Sequence, residues 1–254
     1  MSKQSSNQTL LIILLAVGGV FLLCFAICVC GGIIAFRSAA QQGIEAAKTT
    51  QTRIEVELMT DALEVYRLDR SAFPPNFDDR DFLIRHMRIA FPRFSPASEG
   101  ATPLPDDLDP AEVLVFWLRG FGPNPADPLA GPRHQPLFDF DRSRLRDADG
   151  DGNHEYYPIS ADVPFVYFHH RSYATAQYDP PSGFQGMARP YRSDEAGSEF
   201  VNADSFQIIS AGADNHFGQG GSFPSGDGYA AEDEDNVTNF SEMTLGEDRD
   251  LSGG

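Results

Sequence analysis

Cysteine is scarce in this sequence, with three residues in the whole chain. All three lie at positions 24 to 30, so residues 37–254 contain none. No disulfide can therefore form within that long segment, although disulfides stabilise many small exported domains. Residues 37–254 must instead be held by a hydrophobic core, and a segment of this length is long enough to bury one.

Positive charge is also in short supply. The chain has 19 lysines and arginines against 37 aspartates and glutamates, which gives a formal net charge of −18. Only Lys3 is charged before Arg37, so residues 37–254 carry 18 basic and 37 acidic side chains, a difference of −19. Such a surface repels nucleic-acid phosphates and attracts divalent cations. We therefore expect no nucleic-acid partner.

Sequence motifs of catalysis are missing as well. Ser210, Ser225 and Ser241 lack the Gly-x-Ser-x-Gly frame of a nucleophile elbow, and no glycine-rich loop leads into a helix to hold phosphate. His169 and His170 are adjacent, and neighbouring side chains on a strand point to opposite faces, so the pair cannot easily share one zinc ion. A surface hydrolase would have to rely on the acidic residues alone. We expect the protein not to be an enzyme.

One long apolar run stands against these absences. Residues 10–36 contain no charged side chain, and 27 helical residues span about 40 Å, enough to cross a hydrocarbon core. We predict a leader at 1–9 and a transmembrane helix at 10–36. A cleaved signal peptide is the alternative, but its apolar region is normally far shorter.

The acidic composition suggests where the remainder of the chain lies. Large domains that follow one N-terminal span are commonly exported, although basic residues on the two sides of the run do not decide the orientation. We therefore predict a single-pass protein of the bacterial inner membrane, with residues 37–254 forming an extracytoplasmic domain.

That domain is predicted to begin with a helix and to continue as a sheet. Residues 37–72 are predicted to continue the transmembrane helix beyond residue 36. An apolar stripe at Ile54, Leu58, Ala62 and Val65/Tyr66 is expected to pack on the sheet. Prolines at Phe73-Pro74-Pro75 end this helix. Residues 73–136 form a helical and loop insertion, in which 81–90 is a short helix and Asp109-Pro110-Ala111-Glu112 begins another.

Residues 137–254 are predicted to hold the sheet and an acidic C-terminal loop. The strand candidates are short and rich in aromatic or β-branched residues, and they comprise 137–140, 155–159, 165–169 and Phe206–Ser210. The predicted fold class is therefore α+β, with a long N-terminal transmembrane and amphipathic helix packed on a small antiparallel sheet.

An aspartate-rich stretch offers the sharpest local motif. Asp147, Asp149 and Asp151 occupy positions 1, 3 and 5 of a loop with Gly152 at position 6, which is the spacing that lets carboxylates converge on Ca²⁺. Asn153 offers a backbone carbonyl at position 7, and Glu155 stands at position 9. Position 12 is proline, so the bidentate glutamate of an EF-hand is missing. An acidic turn without metal is the alternative interpretation.

Two further stretches carry a family resemblance. Ala62-Leu63-Glu64-Val65-Tyr66 followed by Phe73-Pro74-Pro75 resembles the end of the long helix in type IV pilins and type II secretion pseudopilins. The run from Phe206 to Asn215, with Gly218 after it, resembles the late strand and calcium loop of pseudopilins, and the acidic segment from Asp233 to Phe240 fills the following slot.

The resemblance implies a pilin-like fold and a calcium ion held by Asp214, Asp233 and Asp235. It implies a membrane-anchored structural subunit of a type II secretion or type IV pilus-like system, with other pilin-like subunits or the secretion machinery as partners. The departure lies at the N-terminus, where Asn7 replaces the glycine of the family's cleavage motif and Ile12 replaces its buried acid. The alternative function is thus a non-polymerising extracytoplasmic binding or adhesion module on the same fold.

Overall fold

The structure is a computed structural model, and it describes residues 40–96, 100–180, 183–184, 186–193 and 199–253. The chain divides into two units, Met1–Ala47 and Lys48–Gly254. In the first unit, residues 40–47 are helical and exposed. The predicted leader at 1–9 and the predicted span at 10–36 lie outside the described residues.

Helix α1 covers residues 40–70. Its buried side chains recur every three or four residues, as one face of an α-helix requires, and they include Thr52, Val56, Met59, Ala62, Leu63 and Tyr66. The predicted stripe is therefore wrong at Ile54, Leu58 and Val65, which are all exposed, and right at Ala62 and Tyr66. The helix carries two apolar stripes, and the core takes the one that begins at Thr52.

Two further helices contribute to the hydrophobic core that contains the buried face of α1. Helix α2 spans Arg80–Ala90 after Asp79, whose carboxylate accepts a hydrogen bond from the Phe82 N–H at 2.8 Å. Helix α3 spans Val113–Leu118 and is buried throughout. At its centre the Trp117 indole donates to the Pro75 carbonyl at 3.1 Å, which ties the helix to the proline turn after α1.

Within the described residues, the strands form three small sheets. Strands β1 (Leu145–Arg146) and β2 (Glu155–Tyr156) make an antiparallel hairpin, and β4 (Arg192–Ser193) pairs in parallel with β6 (Ser222–Phe223). The third sheet has the order β3-β5-β7 and is antiparallel, with strands Val166–His169, Phe206–Ser210 and Val237–Thr238. A last helix, α4, spans Leu245–Ser252.

The three-stranded sheet is buried on both faces. Along β5, Ile208 belongs to the core built around Trp117, whereas the next residue, Ile209, belongs to a second core that contains Phe168 and Phe217. Successive side chains of a strand point to opposite faces, so one sheet serves both cores. This explains why β5 is a continuous run of buried residues.

The strand predictions agree with the structure to different degrees. The prediction Phe206–Ser210 is confirmed, and 165–169 and 155–159 contain the shorter strands β3 and β2. Residues 137–140 do not form a strand. The N–H groups of Leu137 and Phe138 donate instead to the carbonyl of Leu118 at the end of α3, while the Phe138 and Phe140 rings pack on Tyr156.

Two predictions about the membrane need correction. Among the residues that the structure describes, no helix has the length and apolar character needed to cross a membrane. What the described residues show is a mixture of helices and small sheets. On this finding, the predicted fold class with a transmembrane helix is wrong, and so is the localisation as a single-pass protein of the bacterial inner membrane.

Candidate metal centre

The aspartate-rich stretch forms the loop of the β1–β2 hairpin. Asp147 accepts hydrogen bonds from the N–H groups of Gly150 at 2.8 Å and Gly152 at 3.2 Å. Asp151 accepts from both the backbone and the side-chain amide of Asn153, each at 2.7 Å. The Asn153 backbone bond in particular lowers the pKa of Asp151. The carboxylates of the loop are therefore stabilised by hydrogen bonds from neighbouring residues of the same loop.

The structure adds one residue to this loop that the sequence motif does not contain. Carboxylate oxygens of Glu112, Asp149 and Asp151 lie within 4.8 Å of one another. Glu112 is 4% exposed, and its Oε2 accepts from the Asp109 N–H at 2.9 Å, which is the predicted capping interaction at the start of α3. Burial, with the charges of Asp109, Asp151 and Asp149, raises the pKa of Glu112 to about 8. A proton held by Glu112 and shared with Asp151 can relieve the repulsion without metal.

Glu155, the last predicted ligand of this motif, is not a member of that group of three acids. It is buried on β2, and its Oε2 accepts a hydrogen bond from the Tyr157 hydroxyl at 3.0 Å. Burial raises the pKa of Glu155. Of the five predicted ligands in the hairpin, the structure thus groups Asp149 and Asp151 with Glu112.

Asp233, in the C-terminal loops, is fully buried and surrounded by protein donors. Its Oδ1 accepts from the Tyr191 hydroxyl at 2.6 Å and the Gly220 N–H at 3.1 Å, and its Oδ2 accepts from Gln219 at 3.0 Å and Ala230 at 2.7 Å. A Cβ placed on Gly218 would lie 2.0 Å from Asp233 Cγ, so the loop wraps this carboxylate without space for a side chain. Four donors satisfy Asp233, which makes it an organiser of the loop.

Asp235 is only half satisfied. Its Oδ2 accepts from the N–H groups of Ala213 at 2.7 Å and Asp214 at 3.0 Å, whereas its Oδ1 is buried and has no hydrogen-bond partner. Burial raises the pKa of Asp235. Partial burial, with the charges of Asp235 and Glu232, raises the pKa of neighbouring Asp214 to about 6. An unpaired buried carboxylate oxygen is costly, so this pair of acids is the place where a cation would help most.

The donor set at Asp214 and Asp235 fits a hard cation. Ca²⁺ takes six to eight oxygen ligands and accepts backbone carbonyls and waters beside carboxylates. Asp214 and Asp235 lie on adjacent loops that the bond from the Asp214 N–H to Asp235 Oδ2 joins, and Asp214 Oδ1 accepts from the His216 N–H at 2.7 Å. Among the described residues, the three acids whose oxygens lie within 4.8 Å of one another are Glu112, Asp149 and Asp151. Sequence analysis found Asp214 and Asp235 through the family resemblance, whereas Glu112 gave no such signal because its capping role accounts for its position.

Comparison with known proteins gives no further guide to identity, since no family model, curated protein or solved structure matches the chain.

Proposed function

We propose that the protein is a non-enzymatic structural subunit of an assembly resembling those of type II secretion or type IV pili, with its C-terminal loops stabilised by calcium. The observation that carries the proposal is a second apolar stripe on helix α1. Its members are Ile54, Leu58, Val65 and Leu68, and they are 49%, 52%, 50% and 73% exposed.

The spacing of these residues places them on one side of the helix. Steps of four, seven and three residues at 100° per residue keep the four side chains together, with the exposed Asp61 on the same side between Leu58 and Val65. A shallow pocket of about 500 Å³ adjoins Leu58, and both apolar side chains such as Leu137 and Phe140 and charged ones such as Arg144 line it. Isolated exposed apolar residues are ordinary on a protein surface, but four of them aligned on one side of a helix favour an interaction site.

The shape of the stripe favours a helix from a neighbouring subunit as its partner. Amphipathic helices bind apolar surfaces through side chains spaced by three, four and seven residues. The stripe on α1 has this pattern itself, so a second copy of the chain offers a complementary surface. This supports assembly between pilin-like subunits more directly than binding of a small ligand.

Calcium supports the same role by fixing the loops that follow β5. A cation between Asp214 and Asp235 would hold the Ala213–Asp214 turn against the segment that contains Asp233. It would also remove the repulsion between two partly buried acids. Rigid loops favour association between subunits, because less conformational freedom is lost when the contact forms.

The proposal is tested by the oligomeric state of the full-length protein. We expect self-association in sedimentation velocity, and we expect the Leu58→Lys/Val65→Lys double variant to remove it, because charges on the stripe prevent apolar contact. The matched control is Ile89→Lys, which alters an exposed apolar residue of α2 that is not in the stripe. This control should associate like the original protein.

Two results would contradict assembly through the stripe. One is the absence of association of the original protein at every concentration tested, and the other is association of the double variant equal to that of the Ile89→Lys control. The first result would favour the non-polymerising binding or adhesion module, which the altered cleavage motif at Asn7 also favours. The second result would show that the subunits associate through a surface other than the stripe.

A further inference from the structure

A small pocket beside the end of α3 concentrates positive charge in an acidic protein. The pocket has a volume of about 330 Å³, and Arg119, Arg133, Arg142 and His154 line it together with Asp139. Three arginines and one aspartate leave a charge of +2 with the histidine neutral, whereas the whole chain carries −18. The pocket is therefore a local reversal of the protein's charge.

Two nitrogen atoms at this pocket are buried without a partner. They are Arg119 Nε and His154 Nδ1, and neither has a hydrogen bond within the described part of the chain. Among the same residues, no ion pair joins Arg119, Arg133 or Arg142 to an acid. A buried donor left without an acceptor costs free energy, and the cost is higher for a charged group.

The backbone places Arg119 and Arg133 next to each other. Arg119 follows the last residue of α3, and Gly120 turns the chain with a φ of +85°. A Cβ on Gly120 would lie 2.1 Å from the His134 carbonyl oxygen, so only glycine allows the following strand-like segment to approach so closely. This approach, with the bridge between Phe121 and His134, holds Arg133 next to Arg119.

Burial disfavours the charged forms of Arg119 and Arg133. Burial, together with the charge of Arg119, lowers the pKa of Arg133 to about 10, and burial lowers the pKa of Arg119. A structural role explains part of the arrangement. Arg133 Nη1 donates to the Gly120 carbonyl at 3.2 Å, and its guanidinium lies 5.6 Å from the centres of the Phe116 and Phe121 rings. No comparable contact accounts for Arg119 Nε.

The walls of the pocket indicate what accompanies the negative charge. Val115, Phe138 and Leu145 also line the pocket, and a short hydrophobic group of a ligand can pack against them. Pockets of this kind fix a ligand with a few polar groups and bury the remainder against apolar side chains. Guanidinium groups bind carboxylates and phosphates through paired N–H donors.

We propose that this pocket binds a small anion, a carboxylate or a phosphate, through Arg119 and Arg133, with His154 as an additional polar contact. The anion pairs with the guanidinium groups of Arg119 and Arg133, and it screens their two positive charges from each other. Asp139, at the exposed rim, opposes binding and limits the affinity.

The test uses the full-length protein in EDTA, so that divalent cations do not contribute. Melting temperatures and calorimetric titrations are compared in inorganic phosphate, in benzoate and in chloride of equal ionic strength. We expect at least one of the two anions to raise the melting temperature relative to chloride. Benzoate tests the carboxylate with an apolar body, and phosphate tests the anion alone.

Matched variants assign the effect to the pocket. Arg119→Gln should weaken binding by about tenfold to a hundredfold, as loss of a charge-assisted hydrogen bond does. Arg93→Gln makes the same charge change at an exposed arginine outside the pocket and should bind like the original protein. Asp139→Asn should bind more tightly, and because Asp139 is exposed, this variant gives an answer even if Arg119→Gln does not fold.

Three results would overturn the proposal. One is a melting temperature of the original protein that is equal in phosphate, benzoate and chloride. Another is Arg119→Gln binding as tightly as Arg93→Gln. The third is an affinity of Asp139→Asn that does not exceed that of the original protein, which would place the anion elsewhere.

Discussion

The β1–β2 hairpin and the C-terminal loops are both rich in aspartate, but they use it in opposite ways. In the hairpin, Asp147 and Asp151 are exposed and bind the backbone of their own turn. In the C-terminal loops, Asp233 is buried and accepts hydrogen bonds from three separate parts of the chain, including the Tyr191 hydroxyl. One set of carboxylates shapes a local turn, and the other holds distant segments together.

The difference shows that the density of acidic residues does not indicate what a loop does. Removing a carboxylate that accepts hydrogen bonds only from neighbouring residues lowers the stability of the fold little, because water replaces those hydrogen bonds. A buried carboxylate with several donors is costly to remove, because each donor is left unsatisfied. Asp235 lies between these cases, since one of its oxygens is bonded and the other is not.

The largest expected effect comes from Asp233. Replacing Asp233 with alanine should lower the free energy of unfolding by about 3–5 kcal/mol, because four buried or partly buried donors lose their acceptor. Asp149→Ala is the matched change in the hairpin and should alter stability by less than about 0.5 kcal/mol. Urea denaturation of both variants measures the contrast. Equal losses would show that the hairpin is as strongly coupled to the fold as the C-terminal loops.

The same contrast between neighbours can be tested on helix α1. Met59 is fully buried and Leu58 is exposed, although they are adjacent and both apolar. Met59→Ala should therefore cost about 2–5 kcal/mol, whereas Leu58→Ala should cost less than about 0.5 kcal/mol. Urea denaturation again gives both values. A large loss in Leu58→Ala alone would mean that the predicted stripe, and not the observed one, faces the core.

Local patterns predicted what depends on local physics. The predicted strand Phe206–Ser210 is confirmed, and Phe206, Ile208 and Ile209 are residues that strands favour. The capping interaction of Asp109 with Glu112 is confirmed in its hydrogen bonds, with the helix proper beginning at Val113. Such contacts join residues that are three positions apart or fewer, so their spacing in the sequence is enough to predict them.

Choices made by tertiary packing were not predictable in this way. On α1, the polar residues of the buried face are satisfied by distant partners. Thr52 bonds Ser160 at 2.7 Å, and Glu55 accepts from Arg144 Nη1 at 2.9 Å. The sequence alone does not show these partners. On the sequence, the stripe with Ile54 and Leu58 is therefore the better candidate for the core, because it is more uniformly apolar. Glu112 approaches Asp149 only through the fold, so no local motif could contain it.

Protonation offers a third way to compare buried with exposed charge. His86 is buried beside Tyr66, whose hydroxyl lies 2.8 Å from His86 Nε2, and burial lowers the pKa of His86 to about 4. Between that value and the unfolded value of about 6.5, the unfolded chain binds a proton that the folded chain does not. Stability should therefore fall as the pH drops through this window, by about 3 kcal/mol in total.

The measurement is the difference in unfolding free energy between the original protein and His86→Gln as a function of pH. A difference is needed because groups with raised pKa values, such as Glu112, contribute with the opposite sign. Glutamine can keep a hydrogen bond to Tyr66 but does not titrate. Parallel stability curves for the two proteins from about pH 7 to pH 4 would show that His86 is not the group responsible.

Calcium gives the smallest expected effect and the most direct test of the comparison between the two acidic regions. The full-length protein should unfold at a higher temperature in millimolar Ca²⁺ than in EDTA, with a gain of about 2.7 kcal/mol at a hundredfold excess over Kd. Mg²⁺ should substitute poorly, because it requires stricter octahedral geometry. Asp235→Asn should abolish the gain, and Asp149→Asn, the matched change in the hairpin, should keep it.

The pH dependence of this gain identifies the ligands independently of the variants. Because the pKa of Asp214 is about 6, a proton competes with the cation below that value, and the gain should be much smaller near pH 5 than near pH 8. If Asp149→Asn abolished the gain and Asp235→Asn kept it, the hairpin with Glu112 would hold the ion, and the roles assigned to the two regions would be reversed. Identical melting curves in Ca²⁺ and EDTA would mean that Asp235 Oδ1 stays unpaired in the folded protein, and that the acidic surface serves no cation at either place.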